Sequence, residues 1–127
     1  MVSRAEIDTL IRELYAARIR GDLDGLCRLF TADARFEIAS ASRGNPIALN
    51  SHGAGEFRPL LTLLIRTFRI SDQAILSMII EGSQAAVRWH ARIYSRITGV
   101  SVPTEFIDIV EADGCHISSF TEFFVPR

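Results

Sequence analysis

Cysteine is scarce. Cys27 and Cys115 are the whole complement, and they lie far apart with no metal-ligand spacing. A disulfide framework is excluded, and both thiols, set in apolar-periodic segments, are read as reduced core residues. Charge of one sign is also missing. With 14 basic and 15 acidic residues the net charge is −1, and no like-charged block forms an electrostatic footprint for nucleic acid or an acidic membrane. No apolar run approaches the roughly 20 residues of a membrane span. Residues 1–13 carry Arg4, Glu6, Asp8, Arg12 and Glu13 among their apolar positions, unlike a secretory signal. A cytoplasmic protein is expected. The three histidines, His52, His90 and His116, show no HxxxH or HxH spacing, so no metal site is expected. A phosphate loop and a nucleophile elbow are both missing, and no cofactor is expected.

What is present suits one domain. A chain of 127 residues, 48% of them apolar, can bury a single sufficient core. Eight phenylalanines suit either a wide core or a lined cavity. Ile7, Leu10, Ile11, Leu14, Tyr15 and Ile19 recur at helical spacing. Ser3 and Glu6 form a capping box that starts this first helix near residue 4, and Gly21 ends it, with Arg18 and Arg20 favoured in its last turn by the helix dipole. Asp22 then caps a short second helix whose buried stripe is Leu23, Leu26, Cys27 and Phe30. Ala34–Ile38 alternates as a strand. Residues 39–55 are punctuated by Ser, Gly, Asn and Pro and read as loop, with Ile47–Leu49 as a short edge strand. Phe57, Leu60, Leu61, Leu64, Ile65 and Phe68 make a third helical face. Pro59, tolerable in a first turn, predicts a start near residues 56–58.

The period then changes to two. Segments 70–81, 84–97, 100–111 and 115–125 alternate and are rich in β-branched and aromatic residues. Glu81-Gly82-Ser83, Thr98-Gly99 and Ala112-Asp113-Gly114 are the turns. The result is an α+β domain, three N-terminal helices packed in the concave face of a curved, mostly antiparallel sheet. The strand Glu105–Val110 and the segment Ala74–Ile80 are apolar on both faces, which predicts a homodimer through the convex side.

The chain resembles the nuclear transport factor 2-like superfamily, which includes ketosteroid isomerase, SnoaL-like polyketide cyclases and limonene epoxide hydrolase. The resemblance rests on residues 20–26 (RGDLDGL), residues 30–37 (FTADARFE), His52-Gly53 before the third helix, residues 105–110 (EFIDIV) with Asp113-Gly114, and Glu122-Phe123-Phe124. It implies a cone-shaped fold with a pocket, a fold that hosts enzymes and non-enzymes alike. Where the isomerase carries its general-base aspartate, this chain has Ile38, which argues against ordinary ketosteroid isomerisation. The isomerase's oxyanion tyrosine matches Leu14, with Tyr15 one residue off. Its oxyanion aspartate matches Asp108, and the hydrolase's Arg and Asp pair has no convincing counterpart.

Asp108 and Glu122 are the candidate catalytic residues. Asp108 lies amid Phe106, Ile107, Ile109 and Val110, where desolvation favours the neutral acid. Glu122 shares parity with Phe120 and Phe124, and the resemblance puts that face inside. Antiparallel pairing about Asp113-Gly114 can bring the two carboxyls together, as a coupled pair able to move protons. They serve equally as structural acids, hydrogen-bonded to Tyr15 or paired with an arginine. Between them and the helices, Tyr15, Phe36, Trp89, Phe106, Phe120 and Phe124 are candidate ligand walls, with His52 at the cavity mouth. If Thr98-Gly99 is a two-residue turn, Trp89 lies opposite Asp108 and Arg92 opposite Glu105. A turn one residue longer sets His90 against Asp108 instead. The expected ligand is a small apolar molecule, and the expected chemistry is cofactor-free isomerisation, cyclisation or dehydration. The rival readings are a non-catalytic binding or dimerisation module, and a partner-binding sheet.

Overall fold

The computed structural model describes residues 2–42 and 45–127. Helix α1 (Arg4–Arg20) opens on the reciprocal capping box: the Ser3 hydroxyl accepts from the Glu6 N–H at 3.1 Å, and the Glu6 carboxylate accepts from the Ser3 N–H. Gly21 closes it in the left-handed conformation (φ 73°), which costs glycine little. Asp22 at once caps α2 (Leu23–Arg28), accepting from the Gly25 N–H at 2.9 Å. Helix α3 (Ala54–Thr67) starts earlier than Pro59 suggests. Gly53 at φ 82° turns the chain into it, and the Glu56 carboxylate accepts from the His52 N–H. Pro59 therefore sits in the second turn, and both Pro59 and Gly55, whose carbonyl it leaves without its usual donor, are exposed, so water can serve that oxygen.

Six strands follow the order β2-β1-β6-β5-β4-β3, with β1 (Phe30–Ser42), β2 (Asn45–His52), β3 (Phe68–Glu81), β4 (Gln84–Ser95), β5 (Ser101–Asp113) and β6 (His116–Pro126). Strands β1 and β6 run parallel, and the remaining neighbours are antiparallel. The expected loop at 39–55 is corrected: β1 continues to Ser42 and β2 returns along it, Ile38 facing Leu49. Polar residues are admissible there because β2 is an edge strand with one solvated side. The architecture is otherwise the one expected, three helices against a curved sheet that closes towards a cone.

The core lies between the helices and the inner face. Ile7, Leu10, Ile11 and Leu14 of α1, Leu26 of α2, and Phe57 and Leu61 of α3 pack against Phe36, Val87, Trp89, Phe106, Val110 and Phe120. Two core expectations fail. Ile19 is exposed, because the chain past Tyr15 turns Arg18 inward instead. Cys115 is also exposed, in the turn between β5 and β6, while Cys27 is half-buried. The two-sided apolar pattern of Ala74–Ile80 has a local cause: β3 is irregular between Ser71 and Ala74 and again between Ile75 and Ser77, so Leu76 and Ile79 turn to the outside.

The register of β4 on β5 corrects a further expectation. The connection spans residues 96–100, closed by Gly99 N–H to the Ser95 carbonyl (2.8 Å) and Ser95 N–H to the Val100 carbonyl (3.0 Å). Compared with a two-residue turn this slides the pairing by two positions: Trp89 faces Phe106, Val87 faces Asp108, and His90 faces Glu105. An even slide preserves the face, so Trp89 points inward and His90 outward. Arg92 lies opposite Pro103, and Glu105 is held by Arg88 and Arg127 instead.

Candidate functional site: a buried acid pair beneath an apolar hollow

The concave face is filled at one end and open at the other. At the filled end four rings close on one another: Phe36 stacks on Phe120 with centroids 5.3 Å apart, and Phe30 meets Phe36, Phe57 and Phe120 at 5.4–6.4 Å. At the open end a hollow of about 230 Å³ is walled by aliphatic side chains, among them Ile38, Leu64, Ile65, Ile70, Ile93 and Val102. Phe106 and Phe124 also face it. Two charged residues line it, Arg18 and Glu122.

Arg18 comes from the last turn of α1, three residues beyond Tyr15 and four beyond Leu14, which puts it on the buried stripe. Its guanidinium holds Glu122 in a fork, Nη1 to Oε2 at 2.6 Å and Nη2 to Oε1 at 2.9 Å. Such a bidentate pair is the strongest form of this contact. Burial alone would lower the Arg18 pKa, but the charge and hydrogen bonds of Glu122 outweigh it, so the guanidinium is held protonated.

Behind Glu122 lies Asp108, its cross-strand partner in the β5–β6 ladder. Both side chains sit at the inner face with almost no exposure, 0% for Asp108 and 1% for Glu122. One oxygen of Asp108, Oδ2, accepts from the Tyr15 hydroxyl at 2.5 Å and from the Trp89 indole N–H at 2.6 Å. The other, Oδ1, is buried and has no donor. That asymmetry is the signature of a carboxylic acid: the carbonyl oxygen accepts and the hydroxyl oxygen does not. The electrostatics agree. Burial pushes the Asp108 carboxyl well above the ordinary range, the negative charge of Glu122 pushes it further, and the Tyr15 hydroxyl and Arg18 pull back only in part. The geometry and the raised pKa both favour the protonated form of Asp108, and a proton on Oδ1 would serve the contact with Glu122. Tyr15 is itself held protonated, by burial and then by Asp108. Asp108 thus adds a second buried acid behind the Arg18–Glu122 ion pair.

The sequence-predicted residues divide accordingly. Glu122, Phe106 and Phe124 face the hollow. Asp108, Tyr15 and Trp89 form the layer behind it, and Phe106 stacks on Trp89 with centroids 3.8 Å apart. Phe36 and Phe120 do not reach the hollow, because they belong to the ring cluster at the filled end. His52 is exposed at the end of β2, beside the start of α3, and does not line it either. Arg18 is the residue sequence reasoning missed. The helix dipole favours a cation in this turn, but the 7-11-14-18 spacing is the legible signal that places Arg18 on the buried stripe. All 14 basic residues are arginine, so no lysine is available to form an imine with a carbonyl ligand. Among the described residues no three His, Cys, Asp or Glu side chains gather where they could hold a metal ion, and no helix is long and apolar enough to cross a membrane.

A curved sheet of this kind, with three helices packed against its concave face, defines a class of α+β domain, and comparison with known proteins identifies which. The SnoaL-like domain family matches residues 11–120, and the chain belongs to it. Solved structures agree on the fold. A nuclear transport factor 2-like protein from Burkholderia xenovorans superposes with a TM-score of 0.80 at 19% identity, covering 98% of this chain and 93% of the other. A steroid delta-isomerase from Pseudomonas aeruginosa gives 0.67 at 22% identity, covering 97% and 82%. An epoxide hydrolase of the LEH-like type from M. tuberculosis gives 0.73 at 13% identity, covering 95% and 84%. No protein of curated function matches the sequence.

Proposed function

We propose that this protein binds a small, mostly apolar molecule in the hollow and moves a proton on it without a cofactor, in an isomerisation, cyclisation or dehydration. One observation carries the reading: Glu122 stands at the wall of an apolar hollow with a second buried carboxyl, Asp108, directly behind it. Glu122 is the group that touches the ligand. Asp108 has no exposure and acts through it, lending a hydrogen bond when Glu122 is ionised. Tyr15 and Trp89 fix Asp108 in turn. Proteins of similar fold include a steroid delta-isomerase and an epoxide hydrolase, and both names are consistent with small-molecule chemistry in such a cone.

The test is solvent deuterium incorporation, followed by NMR, into a panel of small enolisable carbonyl compounds. Wild-type protein should accelerate exchange, and Glu122→Gln should reduce it at least tenfold, the lower range for loss of a positioned base. Binding without exchange for every compound would leave a non-catalytic binding module. That second reading is favoured by Ile38, which faces the hollow where the isomerase has its base.

A homodimer through the convex face is part of the proposal. Ile107, Ile109, Phe123 and Val125 sit outward on adjacent strands, each 43–57% exposed, and monomers rarely leave so much contiguous apolar surface in water.

A further inference from the structure

The hollow carries a constraint on its ligand that follows from counting charges and donors. Its charged lining is Arg18 and Glu122, one cation and one anion, already paired. The guanidinium uses two of its five N–H donors on Glu122. Among the described residues no other acceptor takes the remaining three. Arg18 is also the more open member of the pair, 12% exposed against 2% for the Glu122 side chain. The hydroxyls of the lining are neutral and weaker donors. Thr104 donates to the Val102 carbonyl, and the oxygens of Ser95 and Thr98 accept backbone N–H groups of the 96–100 connection. Arg18 is therefore the charged donor that a ligand meets.

We infer that Arg18 is the specificity-determining residue of the hollow, and that it selects a neutral apolar ligand bearing one hydrogen-bond-accepting oxygen over an anion of the same shape. This rests on the proposed ligand site. An anion would add a second negative charge beside Glu122, leaving one charge unpaired among aliphatic walls. A neutral oxygen takes a spare N–H of Arg18 and leaves the balance intact. The balance also survives proton transfer. When Glu122 takes a proton from the ligand, the negative charge moves from Glu122 to the ligand oxygen, within reach of the same guanidinium. Volume sets the size: about 230 Å³ is roughly eight water volumes, enough for a molecule of about that many heavy atoms.

Three probes of one shape separate the possibilities: cyclohexyl methyl ketone, cyclohexanecarboxylate and isopropylcyclohexane. Binding is read from fluorescence of Trp89, the single tryptophan, which stacks on the pocket residue Phe106, and from NMR shifts of pocket amides. At pH 7 the ketone should bind roughly tenfold to a hundredfold tighter than the hydrocarbon, the range for a hydrogen bond to a charged donor. The carboxylate should bind more weakly than the ketone. In the double variant Arg18→Met/Glu122→Met, which leaves no buried charge unpaired, the preference for ketone over hydrocarbon should vanish while the hydrocarbon still binds. A carboxylate that binds as tightly as the ketone, or a ketone preference that survives in the double variant, overturns the inference and leaves the pocket standing. If none of the three perturbs the pocket, the ligand site itself is refuted for molecules of this size.

Discussion

Replacing Asp108 by Asn tests the proton at the centre of the site. Asparagine is the neutral isostere of a protonated aspartate. Its carbonyl oxygen can accept from Tyr15 and Trp89 as Oδ2 does, and its amide can donate to Glu122 where the structure leaves Oδ1 without a donor. If the wild-type acid is neutral, Asp108→Asn keeps every hydrogen bond, and stability at or below about pH 4 should change by no more than about 1 kcal/mol. The pH dependence then distinguishes the two proteins. The folded-state pKa of Asp108 is raised, so the folded protein holds a proton that the unfolded chain releases above about pH 4. The stabilisation is complete below that unfolded value and is lost as pH rises towards the folded pKa. Across the window the wild type should lose about 1.4 kcal/mol per pH unit from this one group, and the variant should not. Urea unfolding at pH 5, 6, 7 and 8, at fixed protein concentration, gives the two slopes. Parallel curves would show that Asp108 is ionised in the folded protein and would refute the charge assignment.

The remaining expectations follow from the same contacts. Arg18→Met alone strands a buried carboxylate and should cost about 3–5 kcal/mol, whereas Arg18→Met/Glu122→Met should lie near neutrality, because a buried pair replaced as a unit loses little; urea unfolding measures both. Tyr15→Phe removes one of two donors to Asp108 Oδ2 and should cost about 1–2 kcal/mol, with Trp89 retaining the other; thermal melting checks it. Ile107→Glu places a charge in the convex apolar patch and should convert a dimer to monomer in sedimentation velocity, whereas an unchanged dimer would move the interface elsewhere.

Alternation made much of this legible. Along β4, residues 85, 87, 89 and 91 are buried as the period of two requires, and along β5 the same rule sends Phe106, Asp108 and Val110 inward. Turn length was less legible than face. Thr98-Gly99 looks like a tight hairpin, but the Ser95 hydroxyl accepts from the Ile97 and Thr98 N–H groups and widens the connection. The register moved by two, which sequence pattern cannot detect because both registers bury the same side chains. Arg18 is hard to read from sequence for a different reason. Two forces act on a cation in a last helical turn, the dipole and whatever the buried stripe faces, and the second depends on a strand 104 residues away. The emptiness of the hollow was also invisible: phenylalanine count alone does not say that four rings gather at one end.

Stability does not explain the ion pair. A buried Arg and Glu gain little over a well-packed apolar pair, since their desolvation offsets their attraction. Larger apolar side chains on the aliphatic wall could also close the hollow altogether. The fold already shows how it fills such space, with the rings of Phe30, Phe36, Phe57 and Phe120 closing the opposite end. A guanidinium with spare donors at the wall of a cavity, backed by an acid that spares its partner a second charge, is a costly way to build a core. It is an economical way to hold one oxygen atom and receive one proton. The arrangement therefore makes physical sense as a site that is completed by a ligand, and a core variant that fills the hollow with hydrocarbon should be more stable and unable to discriminate.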